Sequence, residues 1–296
     1  MSAGPEICPT PLSWREVVAT VEQQGVLLEW PFGESVCRAQ VFGDGPPLYL
    51  LGGTCGDHRL FALLAWLLRE DFRCVMIETP GTLGTVKEWR STQAAVTLFI
   101  AEQLEDSAFG LFATAASVGT ALQLAAQSPA SVRSMILQGA GSHNELTLAE
   151  SLMAKLGRWL PGRMRSVPGW RAIQRENHAR WFPGHDETRF EFLLENLGNT
   201  PIAAASTRRL AAAIPVDQAE PDPVDLSKIS QPTLLVHAEG EGQRTAAAID
   251  RLQSQLTGGR SENLASCGLF PHITQTHRLA KLIREHFGST QNPQQK

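Results

Sequence analysis

Five apolar runs, four of them followed by a helix-length amphipathic stretch, constrain this chain more than any other feature. The runs are "LYLLGG" (48–53), "RCVMIETPG" (73–81), "GLFATA" (110–115), "VRSMILQGA" (132–140) and "PTLLVHAEG" (232–240). A run that is apolar throughout, rather than at alternate positions, reads as a strand buried on both faces. Between the runs, Phe61, Leu64, Ala65 and Leu68 repeat at helical spacing, and so do Val118, Ala121, Leu122 and Ala125. Trp89 to Leu104 is predicted helical as well. Strands alternating with helices predict an α/β protein, with a mainly parallel sheet covered by helices on both faces. In such sheets ligands bind beyond the carboxyl ends of the strands.

Weaker signals complete the outline. Short strands are predicted near Val26–Trp30, Cys37–Val41 and Asn263–Ser266, and a last helix from Thr276 to Phe287. From 142 to 226 the alternation stops. Short helical stretches are broken there at Pro161-Gly162, Pro168-Gly169 and Pro183-Gly184, which predicts a helical cap inserted into a core of 1–141 and 227–288. The polar tail 289–296 is predicted disordered.

Composition bounds the function classes. A net charge of −4 across 296 residues gives no reason to expect nucleic acid as a partner. Five scattered cysteines without a CxxC pair argue against a disulfide framework or a zinc site and for a reducing compartment. The N-terminus lacks a basic stretch followed by an apolar one, so no signal peptide is expected. No apolar run approaches the roughly 20 residues that span a bilayer. A cytoplasmic protein without metal or cofactor is the expectation. Lys155 to Trp181 carries seven basic residues against Glu176 alone, interleaved with Trp159, Trp170 and Trp181. That span reads either as a solvated helical face or as a surface for a partner or an anionic membrane.

The stretch "GLFATAASVGTALQLAAQSP" (110–129) has the outline of a strand, a sharp turn through small residues, and a helix stopped by Ser128-Pro129. With the order of elements around it, this resembles the α/β-hydrolase fold over roughly Val26 to Phe287. The resemblance implies a serine at the tip of a G-x-S-x-G turn, then an acid, then a histidine near the C-terminus. Counting from Pro129 and from the strand, the tip is Ala115, within Ala113-Thr114-Ala115-Ala116-Ser117. A methyl group cannot form an acyl-enzyme. The histidine slot after Gly268 holds Leu269, in "CGLFPHITQTH", and Leu269 cannot accept a proton. Glu241 fits the acid position, with Glu239 as the near alternative.

The backbone N–H groups of Thr54 and Ala116 are expected to converge as an oxyanion site, in a pocket formed by Gly53, Cys55, Ala115, Leu269 and Phe270. Cys55 has no basic partner in sequence and is expected to be inert. The segment Gly268-Leu269-Phe270-Pro271 is similar to one in the maspardin-like branch of the superfamily. Two empty positions point to a catalytically silent scaffold that binds a small ligand or a protein partner. The alternative is an active serine hydrolase or esterase on ester-like bonds, which shifts the register to Ser117, His272 and Glu241. A further alternative is a peripheral adaptor working through the Arg/Trp surface.

Overall fold

The computed structural model describes residues 13–33, 35–53, 56–78, 85–139, 146–182, 186–218 and 223–291. Eight strands form one sheet: β1 (Val26–Phe32), β2 (Ser35–Phe42), β3 (Pro47–Leu51), β4 (Arg73–Glu78), β5 (Phe109–Thr114), β6 (Val132–Gln138), β7 (Thr233–Ala238) and β8 (Gly259–Leu264). Their spatial order is β1-β2-β4-β3-β5-β6-β7-β8. β2 runs antiparallel to both its neighbours, and every pairing from β4 to β8 is parallel. After β3 the chain crosses to β4 on one side and then to β5 on the other. The carboxyl ends of β3 and β5 therefore flank a topological switch point, where open α/β sheets bind ligands.

The pleat sends alternate residues of each strand into two separate cores. Leu48 and Leu50 meet Leu64 and Leu68 of α2 (Ala62–Leu68) and Leu279 and Ile283 of the C-terminal helix. Tyr49 and Leu51 belong to the opposite face. There they share a core with Val96 and Ile100 of α3 (Trp89–Gln103), Val118 and Leu122 of α4 (Ser117–Gln127), and Ile249 and Leu252 of a helix after β7. β3 to β6 are buried almost throughout, which is why their central residues are apolar.

Between β6 and β7 lie α5 (Leu148–Gly157), α6 (Trp170–His178), α7 (Glu187–Asn199) and α8 (Ile202–Ala213). The buried Arg90 of α3 ties this segment to the core. Its guanidinium donates to the carbonyls of Ala211 at 2.6 Å and of Ile214. Phe190, Leu193 and Leu194 of α7 join the same core as α2.

Several boundaries differ from the sequence reading. An unpredicted first helix, α1 (Trp14–Gln24), buries Val17, Val18 and Val21 behind a reciprocal cap between Ser13 and Glu16. That S-x-x-E spacing is a helix-start signal that could have located it. β8 lies at 259–264 rather than 263–266, because an exposed edge strand of sequence GRSENL carries no apolar pattern. After β7, α9 covers Gly242–Gln255, and a short α10 (Pro271–Thr274) precedes α11 (Thr276–Gln291). α11 continues into the stretch predicted to be disordered from 289. The Pro183-Gly184 break lies outside the described residues. No described helix is long and apolar enough to cross a membrane.

Candidate active site

The turn from β5 into α4 is the best-defined part of the site. Ala115 has φ +49, the left-handed region that costs a residue with a Cβ about 1 kcal/mol or more. Its amide is held by the Gln138 carbonyl at 2.9 Å, and its carbonyl accepts from the Val118 amide at 3.1 Å. Strain of this kind is kept where the surroundings over-determine the backbone, commonly at functional turns. Gly53, just past β3, packs directly under the turn. A Cβ on Gly53 would lie 2.1 Å from the Thr114 carbonyl, 2.5 Å from the Ala116 amide and 2.9 Å from the Ser117 amide. Only glycine permits that approach. The Gly53 amide donates to Thr114 Oγ1 at 3.2 Å. The first amides of α4 thus lie beside the glycine loop, at the positive end of a helix of 11 residues. Thr54 and Cys55, expected to complete this loop, lie outside the described residues.

Ser117 does not stand at the tip. It opens α4, is fully buried, and its hydroxyl accepts a hydrogen bond from Gln93 Nε2 at 3.0 Å. Gln93 Oε1 in turn accepts from Thr120 Oγ1 at 2.6 Å, which closes a polar network between α3 and α4. His272 belongs to the other face of the sheet. Its ring lies 5.0 Å from Phe61 and 5.9 Å from Phe270, and its Nδ1 is buried without a hydrogen-bond partner among the described residues. Burial pushes its imidazole down to about 3. Ser117 is bonded to Gln93 of α3 while His272 packs on Phe61 and Phe270, and no hydrogen bond joins the two among the described residues.

Leu269 is 40 % exposed, and Phe270 beside it is buried. A small pocket opens between β3, β5 and α10, lined by Gly52, Asp57, Phe61, Thr114, Phe270 and His272. Of the residues predicted to form a pocket, Phe270 lines this one, while Gly53 and Ala115 lie under and within the turn. Asp57 was missed by the sequence reading. Burial opposes the charge on its carboxylate, but the hydrogen bonds and charge of Arg59 outweigh that and hold its pKa below the usual carboxylate range.

The acid position carries a strongly shifted carboxyl. Glu241 follows β7 and accepts hydrogen bonds from the Ala238 amide at 3.0 Å and from Gln138 Nε2 at the end of β6. Burial pushes its carboxyl up to about 7, although both hydrogen bonds favour the charged form. A Cβ on Gly139 would lie 2.7 Å from Glu241 Oε1 and 3.8 Å from the Ala115 amide, so the carboxyl and the strained turn flank one point. Glu239 is engaged elsewhere, accepting from the Ser266 amide at 2.7 Å. Trp181, from the segment between β6 and β7, covers both loops: Cβ atoms on Gly240 and Gly268 would meet its ring within 3.1 Å. Among the described residues no group of three His, Cys, Asp or Glu side chains could hold a metal ion.

The structure is similar to many solved structures. One is an esterase from Thermogutta terrifontis, at 15% identity and TM-score 0.68, covering 90% of this chain and 99% of that one. Another is a serine hydrolase from Cycloclasticus zankles, at 13% and 0.70, covering 90% and 98%. A third is 2-hydroxy-6-oxo-6-phenylhexa-2,4-dienoate hydrolase from a Rhodococcus strain, at 18% and 0.66, covering 89% and 99%. No family model and no curated protein sequence matches the chain. The expectation of a catalytically silent scaffold is corrected here: the chains that share this fold are described as an esterase and as hydrolases. The likeness shows the fold and does not single out the maspardin-like branch. A parallel sheet with its switch point at β3 and β5, a strained turn opening α4 and an acid after β7 are thus found together, and this chain is an α/β-hydrolase-fold protein.

Proposed function

We propose that this chain hydrolyses small ester-like carbonyl compounds with water, not a side chain, as the attacking group. One observation carries the reading: a carboxyl that titrates near neutrality, Glu241, flanks the same point as the strained Ala115 turn. A general base works best when its pKa lies near the operating pH, and burial brings Glu241 there. A lone pair of the water oxygen adds to the carbonyl carbon while Glu241 takes the water proton. The carbonyl oxygen gains negative charge beside the first amides of α4, where backbone donors and the helix dipole stabilise it. Collapse of the adduct breaks the bond to the leaving oxygen, which receives the proton back from Glu241. Trp181 over the Gly240 and Gly268 loops keeps the carboxyl partly out of bulk water.

The test is turnover of p-nitrophenyl acetate and butyrate by the purified chain. The rate is expected to rise with pH through about 7 as Glu241 ionises. Glu241→Gln is expected to lower it by about a hundredfold or more, the usual range for a general base. Ser117→Ala is expected to leave the rate within about twofold, since the hydroxyl is committed to Gln93. Absence of turnover in protein shown folded by circular dichroism overturns the reading. So does loss of turnover in Ser117→Ala, or full activity in Glu241→Gln.

A further inference from the structure

α5 is amphipathic in the wrong sense for a buried helix. Its small residues, Ala154 and Gly157, are buried, and a Cβ on Gly157 would meet Ser206 Oγ at 2.2 Å and Ile202 at 3.6 Å on α8. Its large residues face outward. Leu148 is 89 % exposed, and Leu152, Met153 and Leu156 are exposed beside it. The stripe continues past the helix end through Trp159, 82 % exposed, and Leu160. Positions 148, 152, 156 and 159 repeat at helical spacing, so these side chains form one contiguous patch. Soluble monomers rarely expose such a patch without a binding role.

The charge beside the patch is predominantly basic, because Glu150 on α5 itself is paired with Arg209 of α8. Residues 151–175 contain Lys155, Arg158, Arg163, Arg165, Arg171 and Arg175 and no Asp or Glu. Arg171 and Arg175 are neutralised by Glu187 and Glu191 on α7. Lys155 and Arg158, on α5 and at its end, and Arg163 and Arg165, farther along the chain, form no ion pair among the described residues. The Arg158 guanidinium lies 6.0 Å from the Trp159 ring. A second copy of this chain is a poor occupant, because a two-fold contact through the patch sets these cations against themselves.

We infer that the α5 face docks on an anionic lipid surface, with Leu148, Leu152, Leu156 and Trp159 entering the headgroup boundary and the four cations meeting lipid phosphates. Exposed apolar residues rimmed by unpaired basic ones, with a tryptophan at the margin, suit that boundary and suit neither water nor a neutral hydrocarbon core. The inference does not depend on the hydrolytic reading: it concerns a different surface and survives if turnover is absent.

Co-sedimentation of the full chain with vesicles of mixed phosphatidylcholine and phosphatidylglycerol tests it, with phosphatidylcholine alone as the comparison. Binding is expected to the anionic vesicles only, and to weaken as salt is raised. Lys155→Ala/Arg158→Ala is expected to weaken it roughly thirtyfold, for two cations near the surface. Leu152→Ser/Trp159→Ser is expected to abolish it without lowering thermal stability, since both side chains are exposed. Equal binding to both vesicle types, binding to neither, or retention in Leu152→Ser/Trp159→Ser overturns the inference. A dimer in size-exclusion chromatography that these serine substitutions disperse assigns the face to a second copy and also overturns it.

Discussion

The β5–α4 turn and helix α5 use the same device to opposite ends. Both rely on small residues that let backbones approach closely. Beneath the turn, Gly53 lets the β3 loop press against the Ala116 and Ser117 amides, and the Thr114, Ala116 and Ser117 side chains are buried. In α5, Ala154 and Gly157 bring the helix onto α8, and the close seam leaves Leu148, Leu152, Leu156 and Trp159 with no neighbour to bury them. A small residue fixes distance but not destiny. What the adjacent large residues meet decides whether the result is a buried site or an exposed surface.

Acid has the largest expected effect, because the core around Phe270, beside the site, buries neutral imidazoles. His272 sits in the core against Phe61, and His178 of α6 packs on Phe270 at 5.4 Å. Burial pushes His272 down to about 3 and His178 to about 4, from 6.5 in the unfolded chain. The unfolded state therefore binds more protons below pH 6.5, and stability falls as pH falls. The loss reaches about 1.4 kcal/mol per pH unit for each group. Glu241 acts in the opposite sense. Its carboxyl is raised from 4.5 to about 7, so its contribution declines as pH rises through that window. Urea unfolding between pH 7 and 5 is expected to show a shallower acid slope in His272→Phe and a steeper one in Glu241→Gln. An unchanged slope in His272→Phe contradicts the burial account.

A pair of alanine substitutions compares the two seams directly. In Gly53→Ala the new Cβ meets fixed backbone on three sides, and a loss of about 3 kcal/mol or more in chemical denaturation is expected. In Gly157→Ala the new Cβ meets a serine hydroxyl that can rotate away. The helix also gains propensity there, so the net change is expected within about 1 kcal/mol. Equal losses at the two sites remove the distinction drawn above.

The smallest effect sharpens the site itself. Ala115→Gly relieves the positive φ at the tip while enlarging the freedom of the unfolded chain. The two nearly cancel, with a net stabilisation of about 1 kcal/mol or less in thermal unfolding. A loss above that range means that the Ala115 methyl packs against something the turn requires.

Much of the fold is legible in the sequence because a strand buried on both faces must be apolar at every position. β3 to β6 announce themselves on those grounds, and the tight turn is marked by Ala113-Thr114-Ala115-Ala116-Ser117. The weakly patterned elements were misplaced or missed. β8 is an exposed edge whose register is fixed by pairing with β7 and not by its own residues. α1 carried its signal in the Ser13–Glu16 cap, which a search for apolar periodicity passes over. Within the site, Asp57 was invisible because its setting comes from Arg59 and from the loop after β3. Reading function from empty positions alone leads to a silent scaffold, which sits poorly with the hydrolases and esterases that share the fold. Absent side chains say nothing of what a buried carboxylate and backbone donors can do together.

By itself the sequence determined the class of sheet, the strand–turn–helix of 110–129 and the one-sided charge of 151–175. Each of these follows from local periodicity or composition, which no distant contact alters. Only the tertiary structure decided that Ser117 turns to Gln93, that His272 packs on Phe61 and Phe270, and that Glu241 is buried beside the Ala115 turn. It also decided that α5 shows its large residues to solvent, because that depends on which face α8 accepts. Pleat direction, burial and pKa are properties of neighbours far apart in the chain, and the sheet brings those neighbours together.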